Sequence, residues 1–163
     1  MIRKLHHNAY RCRDSGETRA FYEDFLGLPL VKVLELNETK SGRPTHTLHT
    51  FFRLDDGSYL AFFETDDFPF EFKKQHDYDL HIALEVDAEA LQPMIAKARG
   101  LGLECRGPSD HGMIDSIYIR DPNGYVIELC AKRPGHDALM DPATNGARAR
   151  LQHWIAGKSK TPG

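Results

Sequence analysis

An internal repeat constrains the fold of this chain more than any other feature. The segment "HNAYRC" from His7 matches "HIALEV" from His81 as His-x-Ala-apolar-charged-apolar, and "LDDGSYLAF" (Leu54–Phe62) resembles "DPNGYVIEL" (Asp121–Leu129). The first motif of each half opens a strand that leads into a helix, and the second forms a hairpin around a glycine. Such self-similarity indicates one supersecondary unit used twice. The sequence therefore predicts two similar modules.

Eight segments have the alternating or apolar pattern and the residue types of short strands. A helix is predicted after the first strand, in "DSGETRAFYEDFLG", with Asp14 or Ser15 as its cap and Gly27 as its end. A second is predicted in "DAEALQPMIAKARGLG", with Asp87 as its cap. The order β-α-β-β-β occurs twice, which predicts an α+β fold. The predicted strands are Leu5–Cys12, Leu30–Leu36, Thr47–Leu54, Ser58–Thr65, Leu80–Val86, Leu103–Arg106, Ser116–Arg120 and Tyr125–Ala131.

The chain has 163 residues, enough for one compact domain or two small modules that share a core. We predict a single domain over residues 1–134, with module one at about 1–74 and module two at about 75–134. Residues 135–163 are predicted to be a C-terminal tail with a short helix at Ala147–Ile155. Its apolar residues could dock on the domain or on a second subunit; they are Leu151, Trp154 and Ile155.

Charge and hydropathy exclude several classes of partner. The formal net charge is -3 and there is no block of Lys and Arg, so nucleic acid is not an expected partner. No apolar run approaches the length that spans a bilayer, and the first residues lack the apolar core of a signal peptide. We therefore expect a cytoplasmic protein with a small-molecule ligand and no membrane partner. Three widely spaced cysteines predict neither a disulfide framework nor a zinc knuckle.

Strand parity points to three candidate metal ligands. Apolar residues alternate in Leu80–Val86, so His81 faces away from the helix, and Glu128 likewise opposes the apolar residues of the last strand. The repeat puts His7 on the equivalent face. Two imidazoles and one carboxylate could thus point into one concave sheet surface. A buried carboxylate needs a companion, and this ligand set suits Fe(II), with Mn(II), Zn or Ni as other occupants.

Each of these residues also has a simpler interpretation. His81 alone is typical of a partly exposed strand residue, and His6 competes with His7 as the ligand. Glu128 alone could pair with a Lys or Arg on a solvated face. The joint repetition of the pattern favours the metal site.

Three motifs together resemble the vicinal oxygen chelate superfamily, which includes glyoxalase I, bleomycin and fosfomycin resistance proteins and type I extradiol dioxygenases. They are "LHHNAYRCRD" with "FYEDFLGLPL", "DLHIALEVD" and "IYIRDPNGYVIEL", within about residues 3–132. The resemblance implies paired βαβββ modules that form an open, cup-shaped mixed sheet around a divalent metal. Glyoxalase-I-like members usually carry a fourth ligand on the last strand of the first module, where this chain has Ala61. Glu64 lies three residues further on with opposite parity, so we expect three ligands.

The segment "HGMIDSIYIRDPNGYVIE" resembles the extradiol ring-cleavage signature. That match implies that His111 is an active-site histidine beside the metal ligands and that Tyr118 hydrogen-bonds the substrate. Parity also turns Tyr118 toward the cup, whereas His111 could simply be a solvated loop residue. His49 and Phe63 could line an aromatic substrate pocket, although core packing explains the phenylalanine equally well.

The leading hypothesis from the sequence is an Fe(II)-dependent extradiol-type dioxygenase that cleaves a catechol-like aromatic ring. Both substrate hydroxyls would chelate the metal opposite His7, His81 and Glu128, and His111 would handle protons. One alternative is a glyoxalase-I-like lyase or isomerase that uses Zn or Ni as a Lewis acid. Another is a drug-binding resistance protein. Family members this short often form homodimers, sometimes with the ligands to one metal supplied by two chains.

Overall fold

The computed structural model of the chain describes residues 1–74 and 76–158. Its elements follow the order β-α-β-β-β twice, which confirms the predicted α+β fold of two βαβββ modules. The first module contains β1 (His7–Arg11), α1 (Ser15–Arg19) continued by a π-helical turn (Ala20–Phe25), β2 (Leu30–Glu38), β3 (Pro44–Arg53) and β4 (Tyr59–Thr65). The second contains β5 (Ile82–Glu85), a 3₁₀ turn (Ala88–Ala90), α2 (Leu91–Gly100), β6 (Cys105–Asp110), β7 (Ile114–Arg120) and β8 (Val126–Lys132). The tail contains α3 (His136–Met140) and α4 (Ala147–Lys158).

Each module forms its own four-stranded sheet. The strand order is β1-β4-β3-β2 in the first and β5-β8-β7-β6 in the second. In the first sheet β1 runs parallel to β4, while β3 is antiparallel to both β2 and β4. His7 and Glu128 therefore lie in different sheets, and the expectation that they share one sheet surface is corrected. The repeat shows which positions are equivalent in the two modules, but not which strands pair.

The first of two compact units comprises Met1–Ile82 together with Arg120–Ile127. Its core forms where α1 and the π-helical turn cover one face of the first sheet. The ring of Tyr22 lies 4.6 Å from that of Phe62, and both side chains are fully buried. Hydrogen bonds attach the turn between β7 and β8 to the rest of this unit. Tyr22 donates to Asp121 over 3.0 Å, and Tyr125 donates to the Arg11 carbonyl over 2.9 Å.

The second compact unit comprises Ala83–Ile119 and the residues from Glu128 onward. Its core is made by the inward faces of β5, β7 and β8 and by the buried side of α2. The buried apolar residues there are Leu84, Leu91, Ile95, Ala98, Ile117, Ile119, Leu129 and Ala131. The module boundary near residue 74 stays a prediction, and residue 75 lies outside the described residues.

Strand β6 extends beyond the predicted end at Arg106. Its pairing with β7 shifts register between Arg106 and Ser109, around a cis Gly107–Pro108 peptide. Gly107 has φ +106°, and a Cβ there would lie 2.6 Å from the Ser116 carbonyl oxygen. Proline lacks the N–H that a regular strand needs and occurs in edge strands or bulges. The sequence pattern therefore predicted that β6 ends at Arg106, whereas the strand continues to Asp110.

The tail contains a helix that the sequence did not predict, α3, in addition to the predicted α4. The three apolar residues of α4 remain exposed, at 59% for Leu151, 65% for Trp154 and 57% for Ile155. Their docking on a second subunit stays a prediction, and residues 159–163 of the tail lie outside the described residues. Throughout the described part of the chain, the helices lack the length and apolarity needed to cross a membrane.

Candidate functional site

The odd-numbered residues of β1, β3 and β4 share the face of the first sheet that turns away from the helix. In register, Ala61 lies opposite Ala9 on one side and Phe51 on the other. The His7 ring is exposed and lies 5.7 Å from the Phe51 ring. The opposite face carries Phe62, which packs on the helical segment. His7 therefore occupies the face that strand parity predicts.

His6, the competing ligand, directly contacts His7. The Nδ1 atoms of the two rings are 2.8 Å apart, so one carries a hydrogen and the other accepts it. The same His6 ring lies 5.5 Å from the ring of Tyr59. This contact engages Nδ1 of His7 and leaves its Nε2 as the nitrogen that could hold a metal.

Glu64, the residue considered as a fourth ligand, is hydrogen-bonded to the start of the first helix. Its Oε2 accepts a hydrogen bond from the backbone N–H of Ser15 over 2.7 Å, at the start of α1. A carboxylate is favourable there because the first N–H groups of a helix lack partners within the helix. Ala61, in the position of the fourth ligand, is fully buried and offers no oxygen.

A second group of candidate residues forms a hydrogen-bonded series of three side chains. Tyr118 donates its hydroxyl hydrogen to Glu128 Oε1 over 3.3 Å, and His111 Nε2 lies 2.8 Å from the Tyr118 oxygen. A phenol has one hydrogen, so His111 Nε2 must carry the hydrogen of the second bond. Glu128 is only 5% exposed. The structure thus brings together three of the residues that the sequence singled out.

Burial and the neighbouring Glu128 carboxylate both raise the pKa of Tyr118 above its ordinary value. The phenol is therefore protonated at neutral pH and can donate to the carboxylate. The Arg106 guanidinium lies 5.3 Å from the centre of the Tyr118 ring. Sequence reasoning missed Arg106, because the predicted sixth strand ended there, whereas the real register pairs Arg106 with Tyr118.

His81 directly precedes β5 and is exposed. Its Nδ1 lies 2.8 Å from the Asp77 carbonyl oxygen. A carbonyl can only accept, so Nδ1 carries the hydrogen and Nε2 has the lone pair that a metal requires. Strand β5 neighbours β8, which carries Glu128, in the second sheet.

His49 and Phe63 lie together on the face of the first sheet that carries His7. Their rings are stacked, with centroids 3.6 Å apart and planes 8° from parallel. The Phe51 ring lies 4.3 Å from His49. These rings form an aromatic wall, which we define as His49, Phe51 and Phe63.

The chemistry of the predicted donor set fits a divalent metal, because it combines two imidazole nitrogens with a carboxylate. Over residues 1–74 and 76–158, however, no three His, Cys, Asp or Glu side chains of one chain are grouped so as to hold a metal ion. The assignment of His7, His81 and Glu128 as ligands therefore stays a prediction.

Comparison with known proteins identifies the family and the fold. Residues 4–129 match the family model of the Glyoxalase/Bleomycin resistance protein/Dioxygenase superfamily. A lactoylglutathione lyase of Neisseria meningitidis is 30% identical over 149 residues, which cover 83% of this chain and 96% of that protein. A probable lactoylglutathione lyase of Vibrio cholerae is 30% identical over 139 residues, with the same coverage of 83% and 96%.

Solved structures with low sequence identity share the fold. A glyoxylase/bleomycin resistance protein/dioxygenase domain from Frankia sp. has a TM-score of 0.67 at 14% identity and covers 82% of this chain and 100% of its own. The fosfomycin resistance protein FosX of Listeria monocytogenes has a TM-score of 0.65 at 22% identity, covering 84% and 98%. A mutant of FosX was solved with Mn(II), with a TM-score of 0.63 at 20% identity and coverage of 85% and 99%.

Proposed function

Because this chain belongs to the Glyoxalase/Bleomycin resistance protein/Dioxygenase superfamily, we propose that it is a metal-dependent lyase of the lactoylglutathione lyase kind. Its substrate would be the adduct of a 2-oxoaldehyde and a thiol. Relatives at 30% identity over 83% of the chain carry that name. They support the lyase over the dioxygenase that the sequence alone favoured.

The observation that carries an enzymatic function is the bonded chain His111–Tyr118–Glu128. It places an imidazole, a phenol and a buried carboxylate in series, with separations of 2.8 and 3.3 Å. A protein that only sequesters a drug has no need of a proton-handling group beside a buried carboxylate. This hydrogen-bonded series of side chains therefore favours catalysis over binding alone.

We assign the metal to His7, His81 and Glu128. When bound, the ion would supply Lewis acidity to two adjacent oxygens of the substrate. Zn or Ni suits the lyase reaction, and Mn(II) or Fe(II) would fit the same donors. The tautomer of His81 supports this assignment, since its Nδ1 donates to the Asp77 carbonyl.

We further propose that the site is completed in a homodimer. His7 belongs to the sheet of the first module, whereas His81 precedes β5 and Glu128 lies on the neighbouring strand β8 of the other sheet. In a two-fold symmetric dimer each contact occurs twice. One chain would supply His7, and the other would supply His81 and Glu128.

In the proposed reaction the substrate is isomerised without gain or loss of atoms or electrons. A proton leaves the carbon that carries the sulfur and is returned to the neighbouring carbon, so a thioester of a 2-hydroxy acid forms. His111 would take up and return the proton at Nδ1, because its Nε2 hydrogen is bonded to Tyr118. Tyr118 donates to Glu128 and would orient the substrate by accepting a hydrogen from its hydroxyl group. The bond between the two side chains keeps both in place.

Ring cleavage of a catechol-like aromatic by an Fe(II) dioxygenase is the second candidate. Two observations favour it. Ala61 provides no oxygen where a fourth ligand would stand, which would leave one more position open on the metal. The aromatic wall also suits a planar substrate.

One experiment separates the candidates. Metal-free protein is reconstituted without oxygen with Zn, Ni, Mn(II) or Fe(II), and then assayed for thioester formation from 2-oxoaldehyde adducts and for oxygen uptake with a panel of catechols. The lyase proposal expects thioester formation with Zn or Ni, lost in His7→Gln and kept in the control His46→Gln, an exposed histidine. Oxygen uptake with only Fe(II) or Mn(II), and no thioester, would overturn it in favour of the dioxygenase.

A further inference from the structure

His49 is a buried imidazole for which the proposed reaction has no use. It lies on β3 and is only 7% exposed, although histidine is on average a residue of intermediate burial. Its ring packs between Phe63, at a centroid distance of 3.6 Å, and Phe51, at 4.3 Å. A leucine would fill this space without a polar atom. Packing alone therefore does not explain why a histidine is present here.

Hydrogen bonding determines which nitrogen of His49 is available. Nδ1 lies 3.0 Å from the Phe62 carbonyl oxygen, which can only accept, so Nδ1 carries the hydrogen. Burial lowers the pKa of His49, which keeps the ring neutral at neutral pH. Nε2 therefore has a lone pair and no hydrogen. In the described ranges 1–74 and 76–158, Nε2 has no hydrogen-bond donor as a partner.

The position of His49 relative to His7 determines what could reach it. The Phe51 ring lies between them, 5.7 Å from His7 and 4.3 Å from His49. On the β4 side of Phe51 the same row holds Ala61 and then Ala9, whereas Lys32 of β2 pairs with Phe51 on the other side. Ala61 is fully buried and Ala9 is exposed, so the open surface of this row is at Ala9. Its small side chain and the nearby aromatic rings suit a flat apolar group.

We propose that His49 is a substrate-recognition residue whose Nε2 accepts a hydrogen bond from a hydroxyl group on an aromatic ring of the substrate. The ring would lie against Phe51, beside the exposed Ala9. With the reacting oxygens near His7, a placement that rests on the proposed function, the favoured substrates are adducts of hydroxylated aryl 2-oxoaldehydes. Small aliphatic 2-oxoaldehydes would leave both the acceptor and the wall unused.

The first test needs neither metal nor turnover. Nitrogen NMR of the imidazoles in metal-free, ¹⁵N-histidine-labelled protein, with His49 assigned from the variant His49→Asn, reports the tautomer directly. We expect hydrogen on Nδ1 and none on Nε2. Adding 4-hydroxybenzaldehyde as a probe should shift the Nε2 signal, and its O-methyl ether should not. Hydrogen on Nε2, or equal shifts with both probes, would overturn the inference.

The second test compares hydroxylated arylglyoxal adducts with their O-methyl ethers as substrates. A site that hydrogen-bonds a hydroxyl discriminates strongly against its absence, so kcat/KM should favour the hydroxyl compounds by about 10- to 100-fold. In His49→Asn the amide NH2 can keep the bond to the Phe62 carbonyl, but the shorter side chain places no acceptor at the position of Nε2, and the preference should disappear. Phe51→Leu should lower kcat/KM for both substrates and preserve the preference for the hydroxyl compound. Thermal unfolding checks that each variant folds.

Failure of this inference and failure of the proposed function give different results. Turnover of both substrates at equal rates, with no preference to lose in His49→Asn, contradicts the role of His49 and leaves the lyase intact. If no adduct is turned over, the proposed function fails, and the NMR comparison alone decides: a hydroxyl-dependent shift of Nε2 supports the inference, and its absence overturns it.

Discussion

Among the single residues, Tyr118 links the two groups to which chemistry is assigned. It donates to Glu128 over 3.3 Å and bonds His111 over 2.8 Å. Its raised pKa, caused by burial and by the adjacent carboxylate, keeps it a donor at neutral pH. The hydroxyl group therefore fixes the position of both neighbours. Its removal should lower kcat/KM more than it lowers the stability of the fold.

The variant Tyr118→Phe removes that hydroxyl and keeps the ring beside Arg106. We expect kcat/KM to fall by about 10- to 100-fold, the usual effect of losing a group that orients a metal ligand. Steady-state kinetics measure the change, with thermal unfolding as a check on the fold. Tyr78→Phe is the matched control, because Tyr78 is 91% exposed. Equal kinetics for the two variants would show that Tyr118 has no role in the site.

The sequence was sufficient to place most individual side chains on a face but not to assign their partners. Parity turned His7, Tyr118 and Glu128 away from the helices, as the structure has them. The contact of His6 with His7 and the alignment of Arg106 with Tyr118 depend on rotamers and on register. Neither can be read from an alternating pattern.

At the first helix, Glu64 could act either as a helix cap or as a metal ligand, and the two roles predict different effects of its substitution. Glu64 accepts from the Ser15 N–H at the start of α1. In Glu64→Gln the charge is lost, and we expect the free energy of unfolding to fall by about 1 kcal/mol, as for a helix cap. Denaturant unfolding measures this fall, with the exposed Glu71→Gln as control. Metal affinity should not change; a tenfold loss would make Glu64 a ligand and refute the three-ligand site.

The hairpin between β7 and β8 is held by a buried carboxylate. Asp121 is 5% exposed and accepts hydrogen bonds from Tyr22 and from the backbone N–H of Tyr125. Burial raises the pKa of Asp121 above its ordinary 3.8. The folded state therefore holds this proton more tightly than the unfolded state does. The contribution of Asp121 to stability falls as the pH rises from below 3.8 through the folded pKa.

Tyr22→Phe removes one donor to this carboxylate, and we expect the free energy of unfolding to fall by about 1–3 kcal/mol. The loss should be larger at pH 7 than near pH 4, because Tyr22 stabilises the charged form of Asp121, whose share in the folded state increases with pH. Denaturant unfolding at both pH values measures the difference. The comparison variant Tyr125→Phe removes only a bond to the Arg11 carbonyl and should show no such pH dependence. Equal losses of Tyr22→Phe at both pH values would contradict this account.

Among the elements, those with regular patterns were predictable. The eight strands and the helices of both modules follow from alternation, caps and glycines. The π-helical turn at Ala20–Phe25, the end of β6 and the short helix α3 were not foreseen. At the end of β6 an irregular backbone is the reason, because Gly107 and Pro108 interrupt a strand that nevertheless continues.

For the whole molecule, the repeat specified two modules but not how their strands are grouped. Each module forms its own sheet, so His7 and Glu128 belong to different sheets. A homodimer in which each site takes His7 from one chain and His81 and Glu128 from the other would reconcile this topology with a three-ligand metal site. We therefore propose one metal site shared between two chains, present twice in a symmetric dimer.

Tightly bound metal per chain, measured by mass spectrometry after two variants are unfolded together and refolded, tests this claim most directly. His7→Gln and Glu128→Gln should each bind no metal alone. In a mixed dimer one site carries both substitutions and the other carries neither. Random pairing of equal amounts should therefore restore about a quarter of the wild-type metal content. If mixing restores no metal, or if either variant alone binds as much as the wild type, the shared site is refuted.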